Sequence, residues 1–236
     1  IRLNELSEHI FRTAIVQIRK HVELAELKAV ATTEFDQPLE QAKVRLISHL
    51  SPPSEPPEWK TLQRLAVSAA VRIDGTGLHG MRVGALTRAL ALQCGMPPIQ
   101  ALEYGLAAQI HDIGMASVPE AIVMQARELN EVERKLMRKH TVAGAEMLAD
   151  ERFPRILIAR DVAKFHHAHW DGSGYPGNVA RESIPLAARM CAVADTYDTL
   201  VTDRSYRKAR SMADALLELN RVAGSQLDPS LVKSFE

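Results

Sequence analysis

The sequence predicts an all-α fold. Three observations carry that expectation: apolar residues recur at spacings of three and four along almost the whole chain, β-branched residues rarely alternate with polar ones, and aromatic residues make up only 5% of the 236. No segment reads as a strand. Hydrophobic residues reach 46%, enough for a sizeable core in one large domain or in an ordinary domain with an appendage.

From the N-terminus, Phe11, Ile15, Ile18, Val22 and Ala25 fall on one helical stripe. That stripe suits intramolecular packing or a short two-helix coiled coil. A second helical stretch, PLEQAKVRLISHL, stops at SPPSEPP (51–57), where clustered prolines cannot continue a helix and favour an extended spacer. The domain boundary is expected there, with 1–58 as an N-terminal helical segment and linker and 59–236 as a helical domain. The first segment suits a transmitter helix from an upstream sensor or receiver domain, or a homodimer contact.

Beyond the spacer the helix punctuation is regular. Pro97 and Pro98 suit a first turn after Gly95, and Asn130 with Glu133 resembles a capping box for a helix over 131–149. Ser211 with Asp214 opens a later helix that Gly224 is placed to end. No internal repeat is visible.

Charge and composition exclude several classes of function. The 29 basic and 29 acidic residues cancel, so no global field draws the chain to long nucleic acid or an anionic membrane. No apolar run approaches the ~20 residues that cross a bilayer, and IRLNELSEHI lacks the layout of a secretory signal. A cytoplasmic location is expected. Cys94 and Cys191 are the only cysteines, each in an apolar helical context, which argues against a disulfide framework or a cysteine zinc site. Any metal ligands are therefore nitrogen and oxygen.

His79, His111, His140, His166 and His167 all lie beside or on the apolar side of expected helices. His111 and Asp112 emerge where the apolar helix ALEYGLAAQI ends, just before Gly114, and Asp195 sits on the otherwise buried CAVADTYDTL. A buried carboxylate without a partner costs several kcal/mol, so both acids need cations or donors. One such histidine alone is usually a core residue. Five of them with two acids predict a histidine-rich site inside a helical bundle, suited to iron, manganese, nickel or zinc.

The pieces HDIG (111–114), HH (166–167), DGSGYP (171–176), IPLAAR (184–189), VADTYDTL (193–200) and DRSYR (203–207) occur in this order. Together, from about residue 60 to the end, they resemble the HD-GYP subgroup of the HD-domain phosphohydrolases. The resemblance implies an HD-domain helical bundle that opens cyclic di-GMP to the linear dinucleotide, and in some members on to GMP. It implies two transition-metal ions, iron or manganese foremost, with nickel or zinc as alternatives. His79, His111, Asp112 and Asp195 match the general quartet of the family, with His111 and Asp112 at the catalytic centre. His140, His166 and His167 match the ligands of a second ion, and Asp112 bridges the two.

By the same resemblance Arg204 and Arg207 hold substrate phosphate. Gly174, Tyr175 and Pro176 shape the adjoining surface, where a signalling partner protein would find its contact. His169 and Trp170 are expected to be structural or rim residues, and Tyr175 is not expected to be catalytic.

Departures from the family pattern bear on activity. Gly75 stands where members with a third metal carry Glu, and Asp74 is one residue out of register, so two ions are expected rather than three. Met115 replaces the lysine that usually follows HDIG, and loss of one well-placed cation costs about 2 kcal/mol or more of transition-state stabilisation. Ala168 occupies a frequent Glu position, and PGNVARESIP loses its usual glycines. Two alternatives stand beside the phosphodiesterase: a catalytically weak module that binds a dinucleotide or a partner protein, and a phosphohydrolase of another cyclic dinucleotide.

Overall fold

The computed structural model describes residues 62–64, 66–68, 70–71, 76–125, 127–149, 154–203 and 208–236. The expected N-terminal segment, the boundary near residue 58, Asp74, Gly75, Arg204 and Arg207 lie outside the described residues. Those described are helical, with no strand among them and one isolated bridge between Ala223 and Leu227.

After helical residues at 62–64, 66–68 and 70–71 come α1 (His79–Gln93), α2 (Pro98–Gln109), a 3-10 turn (Ile113–Ser117), α3 (Glu120–Val123) and α4 (Glu131–Arg138). Then follow α5 (His140–Met147), α6 (Pro154–Phe165), a 3-10 turn (Arg181–Ser183), α7 (Leu186–Val201), α8 (Met212–Val222) and α9 (Pro229–Phe235). The stop and start signals act where the sequence places them. Pro98 occupies the first turn of α2, Ser211 Oγ accepts from the Asp214 N–H at 3.1 Å, and Gly224 takes φ +81 just past α8.

One expectation is corrected. The helix expected over 131–149 opens with the full Asn130–Glu133 capping box but breaks at Lys139 into α4 and α5. Two carbonyls near the break are taken by side chains: Met137 O by His140 Nδ1 at 2.8 Å and Arg138 O by Thr141 Oγ1 at 3.1 Å. Such side-chain bonds compete with the helical ladder. Gly114 also presses against the start of α5, where a Cβ would overlap the His140 carbonyl.

Helix α7 is the central rod. Its Ala187, Cys191 and Ala194 join Val83, Leu106, Ile110, Leu148 and Val162 in one apolar cluster. Met190, Ala192 and Val193 join Leu90, Leu219, Leu227 and Leu231 in a second. Small residues let neighbours approach this helix from both sides, which is why LAARMCAVA reads as nearly continuous apolar sequence. Each fully buried Leu or Ile contributes about 1.5–3 kcal/mol, and these clusters offset the cost of the polar groups buried beside them. Helices α1 and α2 come equally close, since a Cβ at Gly84 would overlap the Gln109 side chain and stand 2.6 Å from Gly105 O. That contact sets the first residue of α1 beside the turn that ends α2.

Candidate metal centre

The expected ligands come from helix ends that meet at one place. His79 is the first residue of α1 and His140 the first of α5. His111 and Asp112 lie in the turn just past α2, His166 and His167 follow directly on α6, and Asp195 lies within α7. His79, His111, His140 and His166 are buried; Asp112 is partly open. Gly114 makes the arrangement possible, because its backbone packs directly on His140 and Gly144 of α5.

Hydrogen bonds set the imidazole orientations. Nδ1 of His111 lies 2.7 Å from Ala108 O, Nδ1 of His140 lies 2.8 Å from Met137 O, and Nδ1 of His166 lies 3.0 Å from Val162 O and Ala163 O. Carbonyl oxygen only accepts, so each Nδ1 carries a proton and each Nε2 is the atom left to face the cluster. The Nε2 atoms of His140 and His166 face each other at 3.2 Å. That separation suits a shared proton in the metal-free protein and two ligands on one ion in the metal-bound one.

Asp112 spans the cluster. Its Oδ2 lies 3.4 Å from His111 Nε2, while Oδ1 lies 3.3 Å from His140 Nε2 and 3.6 Å from His166 Nε2. Two groups result, each with its ligand atoms within 4.8 Å of one another: Asp112, His140, His166 and His167, and His79, His111 and Asp112. Asp195 Oδ1 lies 3.1 Å from His79 Nε2, beside the second group. Ligands bound to one ion at about 2.1 Å stand roughly 3–3.4 Å apart, so these separations fit metal coordination with little rearrangement. Imidazole and carboxylate together suit transition metals. The chain thus carries two histidine and aspartate clusters that could each hold a metal ion.

The electrostatics point the same way. Burial opposes ionisation of Asp112, but His111, His166 and His140 outweigh it and hold the carboxyl well below its usual range. Burial likewise opposes ionisation of Asp195, and the bond from His79 prevails. For His79, burial favours the neutral ring, yet Asp195 and Asp198 raise its pKa to about 10. Desolvation and the charge of His166 keep His167 well below the imidazole range. Metal-free, the centre holds protons that an incoming ion must displace.

Sequence reasoning missed Asp198. It is buried on α7, one turn after Asp195, where Oδ2 lies 2.8 Å from His79 Nδ1. Arg82 donates to the same carboxylate through Nε at 2.6 Å and Nη2 at 2.9 Å. Where the other buried imidazoles use backbone carbonyls to fix Nδ1–H, His79 uses a carboxylate, which also raises its basicity toward a metal. The signal was available in the three-residue spacings of Asp195 with Asp198 and His79 with Arg82, each pair on one helix face.

The Gly174–Tyr175–Pro176 loop folds back on the histidines. Tyr175 N–H donates to His167 O at 3.1 Å, and its ring centroid lies 4.9 Å from that of His167 and 6.4 Å from that of His140. Gly174 is required by contact, since a Cβ would overlap His167 O and His169 N. His169 pairs with Ser173 Oγ at 2.9 Å, and Trp170 N–H donates to Gln226 O at 3.0 Å, in keeping with structural roles. Met115 does not face the centre with a polar group. It is buried in an apolar cluster with Val118 and Ile122. A shallow depression opens beside His79, His111 and Asp112, with Ala66, Val67 and Met81 on its walls.

Comparisons with known proteins give the chain its family. The family model described as HD domain matches residues 59–231. A cyclic di-GMP phosphodiesterase of Pseudomonas aeruginosa is 40% identical over 160 residues, covering 68% of this chain and 38% of the relative. A 3′3′-cGAMP-specific phosphodiesterase of Vibrio cholerae is 32% identical over 169 residues, covering 72% of this chain and 32% of the relative. The solved structure of an HD-GYP-type protein from Bdellovibrio bacteriovorus superposes with a TM-score of 0.56 at 19% identity, covering 92% of this chain and 69% of that one, a likeness of fold. The chain spans about half or less of the length of these curated relatives. Among the described residues no helix is long and apolar enough to cross a membrane.

Proposed function

We propose that this chain, which belongs to the HD domain family and is related to its HD-GYP phosphodiesterases, hydrolyses cyclic dinucleotides, with cyclic di-GMP the preferred substrate and the linear dinucleotide the first product. The observation that carries the reading is Asp112, with one carboxylate oxygen facing His111 and the other facing the converging Nε2 atoms of His140 and His166. A carboxylate so placed suits a bridge between two ions. His79, His111, Asp112 and Asp195 would hold one, and Asp112, His140, His166 and His167 the other. The mixed nitrogen and oxygen set accepts iron, manganese, nickel or zinc, the family resemblance puts iron or manganese first, and the Gly75 side chain offers nothing to a third ion.

When bound, two such cations activate water and neutralise phosphoryl charge. The residues of the chain orient the parts. Asp112 and Asp195 supply the anionic ligands, Asp198 fixes the His79 ring, and the carbonyls at 108, 137, 162 and 163 hold the other imidazoles in one tautomer. In the reaction a water oxygen bonds to phosphorus, one ribose oxygen leaves, and the proton lost by the water ends on that leaving oxygen. Arg204 and Arg207 are assigned to the substrate phosphates, where a guanidinium fork engages two oxygens. Residues 1–58 are assigned to signal transmission or a homodimer contact.

Protein prepared without oxygen and loaded with iron(II) or manganese(II) should convert cyclic di-GMP to linear product faster than 3′3′-cGAMP, and the His111→Ala protein should not. Faster turnover of 3′3′-cGAMP would reassign the substrate. A second reading, a module that binds the dinucleotide without cleaving it, draws on the apolar burial of Met115. Metal-loaded protein that retains cyclic di-GMP intact would establish that reading instead.

A further inference from the structure

Near the centre stands a cation, Arg138, that has no acceptor of its own among the described residues. Arg138 ends α4 at the break before α5, and its backbone is pinned by the bond from Thr141 Oγ1 to its carbonyl at 3.1 Å. The side chain is exposed, and its guanidinium carbon lies 4.9 Å from the centroid of the Tyr175 ring. Tyr175 in turn lies 4.9 Å, centroid to centroid, from His167. The guanidinium is therefore two ring-stacking steps from an expected metal ligand and held over an aromatic platform, which orders it without using its N–H groups. Among the described residues it meets no carboxylate and donates no side-chain hydrogen bond. Exposed beside Tyr175, it keeps its guanidinium donors unspent among the described residues.

We propose that Arg138 binds a phosphate of the cyclic dinucleotide: the second, unreacting phosphodiester that remains at the rim while the first lies over the histidine and aspartate clusters. The inference rests on the phosphodiesterase reading and adds a residue to it. The chemistry is specific to a substrate with two phosphates in one ring. A planar, permanently charged fork engages two non-bridging oxygens of the remote phosphate, and the Tyr175 ring limits the rotamers lost on binding. The position is also the reverse of that at residue 115, where the side chain turns into the apolar cluster of Val118 and Ile122. Remote phosphate binding of this kind is felt equally in the ground and transition states and so acts on KM rather than kcat.

The test compares wild type, Arg138→Met and Arg138→Lys, all loaded with manganese(II), on two substrates. Cyclic di-GMP carries two phosphodiesters and bis(4-nitrophenyl) phosphate carries one. For Arg138→Met the KM for cyclic di-GMP should rise about tenfold relative to the KM for bis(4-nitrophenyl) phosphate, the size of one lost charge-assisted contact, with Arg138→Lys between the two. Hydrolysis of the one-phosphate diester also reports that the variants are folded. A KM ratio equal to that of wild type in Arg138→Met would overturn the inference while leaving the phosphodiesterase reading in place. Wild-type protein that neither cleaves nor binds a cyclic dinucleotide would overturn that reading and the inference with it.

Discussion

Replacing Asp198 with Asn should loosen the metal group built on His79 and leave the group built on His140, His166 and His167 largely intact. Asp198 accepts from three donors, His79 Nδ1 at 2.8 Å, Arg82 Nε at 2.6 Å and Arg82 Nη2 at 2.9 Å, and its side chain is 3% exposed. Asparagine keeps the shape, but its amide nitrogen must face either the imidazole N–H or the guanidinium, donor against donor. The carboxylate behind a ligating histidine is typically worth ten- to a hundredfold in metal affinity, or about 1.4–2.7 kcal/mol. Loss of the anion beside the partly buried Arg82 adds a stability cost of roughly 1–3 kcal/mol, below that of a fully buried pair because the arginine side chain retains 26% exposure. Competition with a graded chelator should therefore show wild type losing its ions together, and Asp198→Asn losing one well before the other. Thermal unfolding of the metal-free proteins separates affinity from stability. An Asp198→Asn protein that releases both ions at the wild-type chelator concentration would refute the role given to this carboxylate.

Further predictions test other parts of the centre. His167→Ala should lower bound metal per chain, measured by elemental analysis, because it removes a ligand from the group around Asp112. Gly114→Ala forces a Cβ into the His140 carbonyl; the overpacking should cost about 1–3 kcal/mol in denaturant unfolding and weaken metal retention through displacement of α5. Glu133, bonded to Arg127 and to the Asn130 N–H, has a pKa lowered to about 2 from the model-peptide 4.5. A depressed carboxyl stabilises the fold fully above pH 4.5, and that stability is lost as pH falls toward 2. Denaturation curves between those pH values should be shallower in pH for Glu133→Gln, and an identical pH dependence in both proteins would count against the cap.

The fold class was readable because the three-and-four periodicity and the proline, glycine and cap residues act locally, as at Pro98, Ser211 and Gly224. The break at Lys139 was not readable, because it depends on Gly114 arriving from elsewhere and on His140 and Thr141 turning to carbonyls of the preceding turn. The clustering of His79, His111, Asp112, His140, His166 and His167 followed from their places at helix ends together with the family resemblance. Asp198 escaped because a second acid on a helix is ordinarily a surface charge, and its partners lie far away in sequence. Tyr175 could have pointed outward to a partner or inward to its own loop; the contact of Gly174 with His167 O decides for the histidines. Met115 shows the limit of motif comparison, since a residue change says nothing of where its side chain turns.

The meeting of helix ends also bears on how the protein acquires its metal. His79 and the Asp198 that orients it are 119 residues apart, and α7 brings Asp195 to the cluster only once it is clamped between the two apolar cores. A chain that has not yet docked α7 lacks Asp195 and Asp198, so the group built on His79 is incomplete, whereas Asp112, His140, His166 and His167 come from elements outside α7. The His79 group would therefore reach its full affinity only once α7 is docked. Occupancy of that group would then report completed folding, and an ion that binds the native state alone would add stability that grows with the free metal concentration.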